Sequence, residues 1–68
     1  MSGSIDNFFK AFDEAKLRYK NIKYALLYDT YWHMSLEIND KVLFDIRGME
    51  TETIFNTAAH KLLEYIRR

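Results

Sequence analysis

The feature that most constrains the fold is the period of the hydrophobic pattern, which changes twice along the chain. Apolar side chains recur every three or four residues over 4–20 and again over 51–67, which is typical of amphipathic helices. Between these segments the pattern alternates with a period of two, which indicates strands. We predict strands at about 22–28, 31–38 and 42–47, enclosed by the two helices.

The predicted helices each carry one apolar stripe. In the first helix the stripe is Ile5, Phe8, Phe9, Phe12, Ala15 and Tyr19. In the second it is Ile54, Phe55, Ala58, Ala59, Leu62, Leu63 and Ile66. Ser4 and Thr51 are the predicted N-caps, because a hydroxyl oxygen can accept an unpaired backbone N–H. Asn21 is expected to end the first helix in the left-handed conformation.

The register of the second hairpin follows from matching apolar faces. A three-residue loop at 39–41 gives three apolar pairs across the strands. These pairs are Ile38–Val42, Leu36–Phe44 and Met34–Ile46. A two-residue loop at 39–40 would place Met34 opposite Asp45, so we expect the longer loop. In the first hairpin, a turn at 29–30 is expected to place Leu27 beside Trp32 and Ala25 beside Met34.

These elements predict an α+β fold, a two-layer α-β-β-β-α sandwich in one domain spanning 1–68, with 1–3 flexible. We take the strands to form an antiparallel meander with both helices on one face of the sheet; another strand order would keep the two faces but move the charged ends. This path makes the helices parallel, so their basic C-terminal ends meet. The cations expected there are Lys16, Arg18, Lys20, Lys23, Arg67 and Arg68. Acidic residues are expected at the other end: Asp6, Asp29, Glu50 and Glu52.

The uncovered sheet face is predicted to be unusually apolar for a solvated antiparallel face. The residues that we expect to bind a protein there are Tyr24, Leu26, Tyr28, Tyr31, His33 and Leu43. Tyrosine suits interfaces because its ring is apolar and its hydroxyl stays hydrated. The alternative is that these side chains only form cross-strand pairs that stabilise a thin sheet.

Composition argues against several kinds of site. The 68 residues include no cysteine, and glycine occurs only at 3 and 48, so neither a disulfide nor a glycine-rich phosphate loop is expected. His60 and Glu64 share a helical face, but a zinc site needs at least three protein ligands. His33 faces Asp45 and Arg47 without a recognisable nucleophile. We expect no catalytic residues, no metal and no cofactor.

The chain resembles the double-stranded-RNA-binding domain in its α-β-β-β-α order and in the run 58–65, where paired alanines precede leucines as in that family's closing helix. The resemblance implies the fold but not RNA binding. The family's lysine cluster at the start of the last helix is replaced by the acidic run 50–53. Its Gly-Pro-x-His loop is replaced by the tight turn at 29–30. Relatives that lack these motifs typically serve protein–protein contacts.

The leading functional hypothesis is a non-enzymatic protein-binding module that docks or dimerises through the predicted tyrosine face. Its small size and acidic end suit a compact inhibitor or adaptor of the kind that phages direct against host systems. The alternative is a nucleic-acid-binding domain that uses the basic end, although zero net charge does not favour it. The sequence shows no signal peptide or apolar run long enough for a membrane span, so we expect a cytoplasmic protein.

Overall fold

The computed structural model of the protein describes residues 3–67; Met1, Ser2 and Arg68, on which part of the predicted flexible start and basic end falls, lie outside them. The elements are α1 (Ser4–Arg18), β1 (Ile22–Asp29), β2 (Tyr31–Ile38), β3 (Lys41–Gly48) and α2 (Thr51–Ile66). The strands form one antiparallel sheet in the order β1-β2-β3. The predicted α-β-β-β-α order, meander and α+β class are confirmed.

The core lies between the two helices and one face of the sheet. Its largest fully buried side chains are Phe8, Met34, Leu36, Ile54 and Leu62. The helix–helix contact is lined by buried alanines, Ala11 and Ala15 of α1 with Ala58 and Ala59 of α2. Because alanine has a single methyl group, the two helices can approach closely, and burial of apolar surface supplies the main stabilisation at about 25 cal/mol per Å².

The helices run in the same direction, as predicted. At their C-terminal ends the Nη1 atom of Arg18 donates a hydrogen bond to the carbonyl oxygen of Ile66 at 2.7 Å. At their N-terminal ends Asp6 and Glu52 line the same shallow pocket. The C-termini of both helices therefore lie at one end of the domain and their N-termini at the other, so the two helix dipoles point in the same direction.

The predicted helix caps are wrong. The N-cap residues are Gly3 and Glu50, one position before Ser4 and Thr51, and neither makes a side-chain capping bond. Asn21 is not among the residues with positive φ. Instead α1 ends at Arg18, because Tyr19 is extended (φ −124°, ψ 118°) and its ring packs 5.6 Å from that of Tyr65.

The second hairpin has the two-residue turn that the sequence argument rejected. Asn39 and Asp40 both have positive φ, 54° and 65°, as a two-residue type I′ hairpin turn requires. Ile38 pairs with Lys41, so the predicted Ile38–Val42 pair is wrong. A bulge that adds Leu43 then restores the phase, and the predicted pairs Leu36–Phe44 and Met34–Ile46 are confirmed.

The first hairpin is one residue out of the predicted register. Asp29 pairs with Tyr31, and Thr30 alone, with φ 71°, makes the turn. The observed partners are Tyr28–Trp32, Leu26–Met34 and Tyr24–Leu36. Because side chains alternate between the faces of a strand, this shift exchanges the two faces of β1. Tyr24, Leu26 and Tyr28 therefore lie on the helix-covered side, and their predicted place on the open face is wrong.

Candidate functional site: the margin of strand β1

Strand β1 is an edge strand, and within residues 3–67 no other strand pairs with its outer side. Side chains of Ile22, Tyr24, Leu26 and Tyr28 point to the helix side, and those of Lys23, Ala25, Leu27 and Asp29 to the open side. The segment 25–28 is apolar on both sides. This edge, with its unpaired backbone groups, is the feature around which the candidate site is built.

The predicted binding residues Tyr24 and Leu26 serve the core instead. The Tyr24 ring meets Phe8 and Phe12 edge-on, with centroid separations of 5.4 Å and 5.2 Å. Leu26 is partly buried against the same core. Edge-to-face aromatic contacts contribute about 0.5–1.5 kcal/mol each beyond the area they bury, so these residues hold β1 under α1.

Tyr28 is on the helix side but at the end of the strand, beyond the reach of the helices. Its side chain is 63% exposed, and its ring centroid lies 5.0 Å from that of Trp32. Trp32 itself is partly buried against the core. Tyr28 therefore remains available for contact, although not on the face where the sequence placed it.

Leu43 is also displaced from the predicted face. As the extra residue of the β3 bulge, it follows Val42 without a partner of its own on β2. It is partly buried against the core and lines a shallow pocket with Lys61 and Tyr65 of α2. The bulge thus turns Leu43 toward the helices, and its role is packing.

Tyr31 and His33 do lie on the open face, as predicted. The guanidinium of Arg47 is 6.0 Å from the centre of the Tyr31 ring, within cation–π range. The Nε2 atom of His33 is 2.5 Å from Oδ1 of Asp45. The rest of this face mixes charged and small residues with exposed Leu27 and Val42, so it differs from the tyrosine surface that we predicted.

Part of the exposed apolar surface lies at the margin of β1, while Leu17, Val42 and Met49 are exposed elsewhere. We define the β1 margin as the outer backbone edge of β1 with Phe9, Leu27 and Tyr28. Leu27 is 60% exposed, and Phe9, whose ring lies 5.9 Å from that of Tyr24, is 38% exposed. Sequence reasoning assigned Ile5 and Phe9 to the core. The sequence feature that could have indicated an exposed apolar margin on β1 is the unbroken apolar run 25–28, because a strand with one solvated face should alternate between apolar and polar residues.

The predicted basic end is present, but acceptors are interleaved with its cations. Lys16 pairs with Asp13 at 3.0 Å, and Lys23 lies 3.9 Å from Glu37 and 3.8 Å from Asp40. Arg18 is bonded to α2 as described above. Arg67 follows the last turn of α2, while Arg68 lies outside the described residues. Several of the cations that the nucleic-acid hypothesis requires therefore already have partners in the domain.

Two other kinds of site are absent from the described part of the chain. Residues 3–67 contain no cluster of three or more His, Cys, Asp or Glu side chains able to hold a metal ion. None of the helices in this range has the length and apolar character needed to cross a membrane.

No protein-family profile matches the chain, and comparisons with curated proteins and with solved structures also found no match. The α-β-β-β-α topology is the part of the predicted resemblance that the structure confirms. The start of α2 is acidic, with Glu50 as its N-cap residue and Glu52 in its first turn. The geometry of the chain itself must therefore carry the functional argument.

Proposed function

We propose that this protein is a non-enzymatic protein-interaction module that docks through the β1 margin. The observation that carries the proposal is the unpaired edge of β1, flanked by exposed Leu27 and Tyr28. An exposed, regular and apolar strand edge is a template for another chain. Domains normally block such an edge unless it is used.

The side chains at this margin suit docking energetically. Full burial of a side chain of this size stabilises a complex by about 1.5–3 kcal/mol. Tyrosine adds a hydroxyl that tolerates water at the rim of an interface. Tyr28 also rests on Trp32, so its ring loses little further freedom on binding. The margin therefore combines backbone hydrogen-bonding capacity with preorganised apolar contacts.

We further propose that the module acts in the cytoplasm as a compact inhibitor or adaptor. Its small size and the acidic surface around Asp6 and Glu52 are what favour this role. The topology supports an origin from a domain like the double-stranded-RNA-binding domain in which the RNA-contacting motifs are lost. In this proposal the side chains of Tyr31 and His33, on the open face, contribute to the rim of the docking surface.

The test is affinity capture of binding proteins from nuclease-treated extract of the source cells, followed by titration of the purified partner. Tyr28→Glu and Leu27→Glu are expected to weaken binding at least tenfold, because each places a charge in an apolar contact. Val42→Glu is the matched control, since Val42 is similarly exposed (62%) but lies on the opposite edge strand.

Far-UV circular dichroism of all three variants should match the wild type. If a bound protein is retained equally by Tyr28→Glu and Leu27→Glu, the β1 margin is not the docking surface. If Val42→Glu is the variant that loses the partner, the opposite edge is the site.

A second candidate function, nucleic-acid binding at the basic end, is favoured by one observation. The C-termini of both helices meet, with Arg18 bonded to Ile66 and Arg67 adjacent. This proposal predicts an affinity for RNA or DNA that falls steeply with salt, because phosphate contacts release counterions. A flat fluorescence-anisotropy titration with both nucleic acids at about 50 mM salt contradicts it.

A further inference from the structure

The backbone of β1 has a defined pattern of free hydrogen-bonding groups. The amide of Asn39 donates to the carbonyl of Asn21 at 2.9 Å, so Asn21 directs its backbone groups toward β2. The β1–β2 register has no bulge, and successive residues of a strand direct these groups to alternate sides. The residues whose N–H and C=O groups point to the free edge are therefore Ile22, Tyr24, Leu26 and Tyr28.

We propose that this edge pairs with the same edge of a second copy of the chain, antiparallel and about a two-fold axis through Leu26. The proposal deepens the proposed function, on which it rests, by naming the partner. The two sheets would join into one six-stranded sheet, each contributing the three strands of its meander. A two-fold axis perpendicular to the sheet keeps the helices of both copies on the same side.

The free backbone groups restrict the register to a few choices. The free N–H and C=O groups of the two copies meet only if even-numbered residues of one copy face even-numbered residues of the other. The two-fold axis must therefore pass through a residue, because an axis between two residues would pair even-numbered with odd-numbered residues. Two such axes, through Leu26 or through Ala25, use nearly the whole strand. With the axis at Leu26, the pairs are Leu26–Leu26, Tyr24–Tyr28, Ala25–Leu27 and Lys23–Asp29, each with its symmetry mate.

Charge complementarity selects the axis at Leu26. Lys23 and Asp29 are the only charged residues of β1, and they stand at its two ends on the open side. Lys23 is exposed and its contacts within the chain are long, 3.9 Å to Glu37 and 3.8 Å to Asp40. In this register each Lys23 also faces Asp29 of the second copy, which forms two ion pairs by symmetry. With the axis at Ala25, Lys23 faces Leu27 and Asp29 falls beyond the paired strand. The apolar segment between the charges is matched with itself in either case.

The helix side adds apolar contacts to the same interface. Tyr24 of one copy stands opposite Tyr28 of the other, next to Phe9, whose ring is 5.9 Å from Tyr24. The pairing would therefore cover exposed members of the β1 margin that the single chain leaves in water.

The experiment measures mass in solution by size-exclusion chromatography with light scattering at two protein concentrations. The wild type is expected to form a dimer whose fraction rises with concentration. Lys23→Asp and Asp29→Lys should each raise the dimer dissociation constant about tenfold, because two attractive pairs become two repulsive ones. An equimolar mixture of the two variants should restore dimers, as should the double variant, because opposite charges then face each other again.

Cysteine cross-linking tests the register independently. No native thiol can compete in the reaction, because the chain has no cysteine of its own. Ala25 and Leu27 are both exposed on the open side of β1. Under mild oxidation, a mixture of Ala25→Cys and Leu27→Cys should cross-link more rapidly than either variant alone. Rapid cross-linking of Ala25→Cys by itself would instead identify the axis at Ala25 and overturn the proposed register.

A wild type that stays monomeric at both concentrations overturns the proposed dimer. The edge of β1 could then still be occupied by an extended peptide of another protein, which would equally contradict pairing with a second copy. That outcome leaves the proposed function standing if a captured protein is still lost with Tyr28→Glu. A dimer that survives both charge reversals, with no rescue on mixing, places self-association on another surface. The proposed function is also overturned only if Tyr28→Glu changes neither the dimer fraction nor the amount of captured partner protein.

Discussion

The two edges of the sheet are built in opposite ways. Strand β3 carries a bulge at Leu43 and charged residues at three positions, namely Lys41, Asp45 and Arg47. Strand β1 has the same length but pairs with β2 without interruption, and its charges stand only at its ends. Bulges and charges are the devices by which native sheets prevent edge-to-edge pairing. The contrast teaches that β3 is protected against a further strand whereas β1 is left able to accept one.

The two edge strands also differ in the helix residues that pack against them. Strand β3 lies under α2, against which both Leu43 and the buried Phe44 pack. Strand β1 depends largely on one aromatic cluster in which Phe8 contacts Phe9, Phe12, Tyr24 and Phe55. A strand held by few side chains can keep its shape while its outer backbone remains open.

The largest expected effect comes from removing the centre of that cluster. Phe8→Ala should lower the free energy of unfolding by about 3–5 kcal/mol, because Phe8 is fully buried and its loss leaves a cavity. Urea denaturation followed by circular dichroism measures the change. Phe9→Ala is the matched control on the same helix; since Phe9 is 38% exposed, its loss should cost clearly less. Equal losses would show that β1 is not held mainly through Phe8.

A smaller effect is expected from deleting Leu43, which would remove the bulge and give β3 the regularity of β1. The pairs Glu37–Val42 and Leu36–Phe44 flank the bulge and can both persist without it. We expect a loss of about 1–2 kcal/mol from the missing packing on α2, together with greater self-association. Light scattering of the deletion variant checks the second effect. Leu43→Ala, which keeps the bulge, should lose stability without gaining association.

How far the sequence could predict this molecule depended on how many constraints each element carried. The helices followed from periodicity, because long amphipathic stripes such as that of α2 have one solution. The order of the strands in the sheet was an assumption, because periodicity does not determine which strands are neighbours. The turns did not follow from periodicity, because each depended on one or two residues adopting positive φ. At 39–40 a two-residue turn without a bulge places Met34 opposite Asp45, and matching apolar faces therefore favours the longer loop. The bulge that restores the register leaves no mark in the hydrophobic pattern.

The error at the first hairpin had the larger consequence for the candidate site. Its turn consists of Thr30 alone, and a β-branched residue at φ 71° is not what turn preferences predict. Since 25–28 is apolar on both sides, alternation could not choose between the two registers of β1. The predicted binding face therefore contained Tyr24 and Leu26, which belong to the core, and omitted Leu27 and Phe9, which are exposed.

The same turn provides the smallest predicted effect and a direct check on the register of β1. Thr30→Asn should raise the free energy of unfolding by about 0.5–1 kcal/mol, because asparagine tolerates positive φ better than a β-branched residue does. Asn39→Thr is the matched reciprocal: it places a β-branched residue at φ 54° and should lower stability by a similar amount. Both changes are read by urea denaturation. A loss of stability in Thr30→Asn would mean that Thr30 does not occupy this turn alone, and the assignment of side chains to the two faces of β1 would have to be revised.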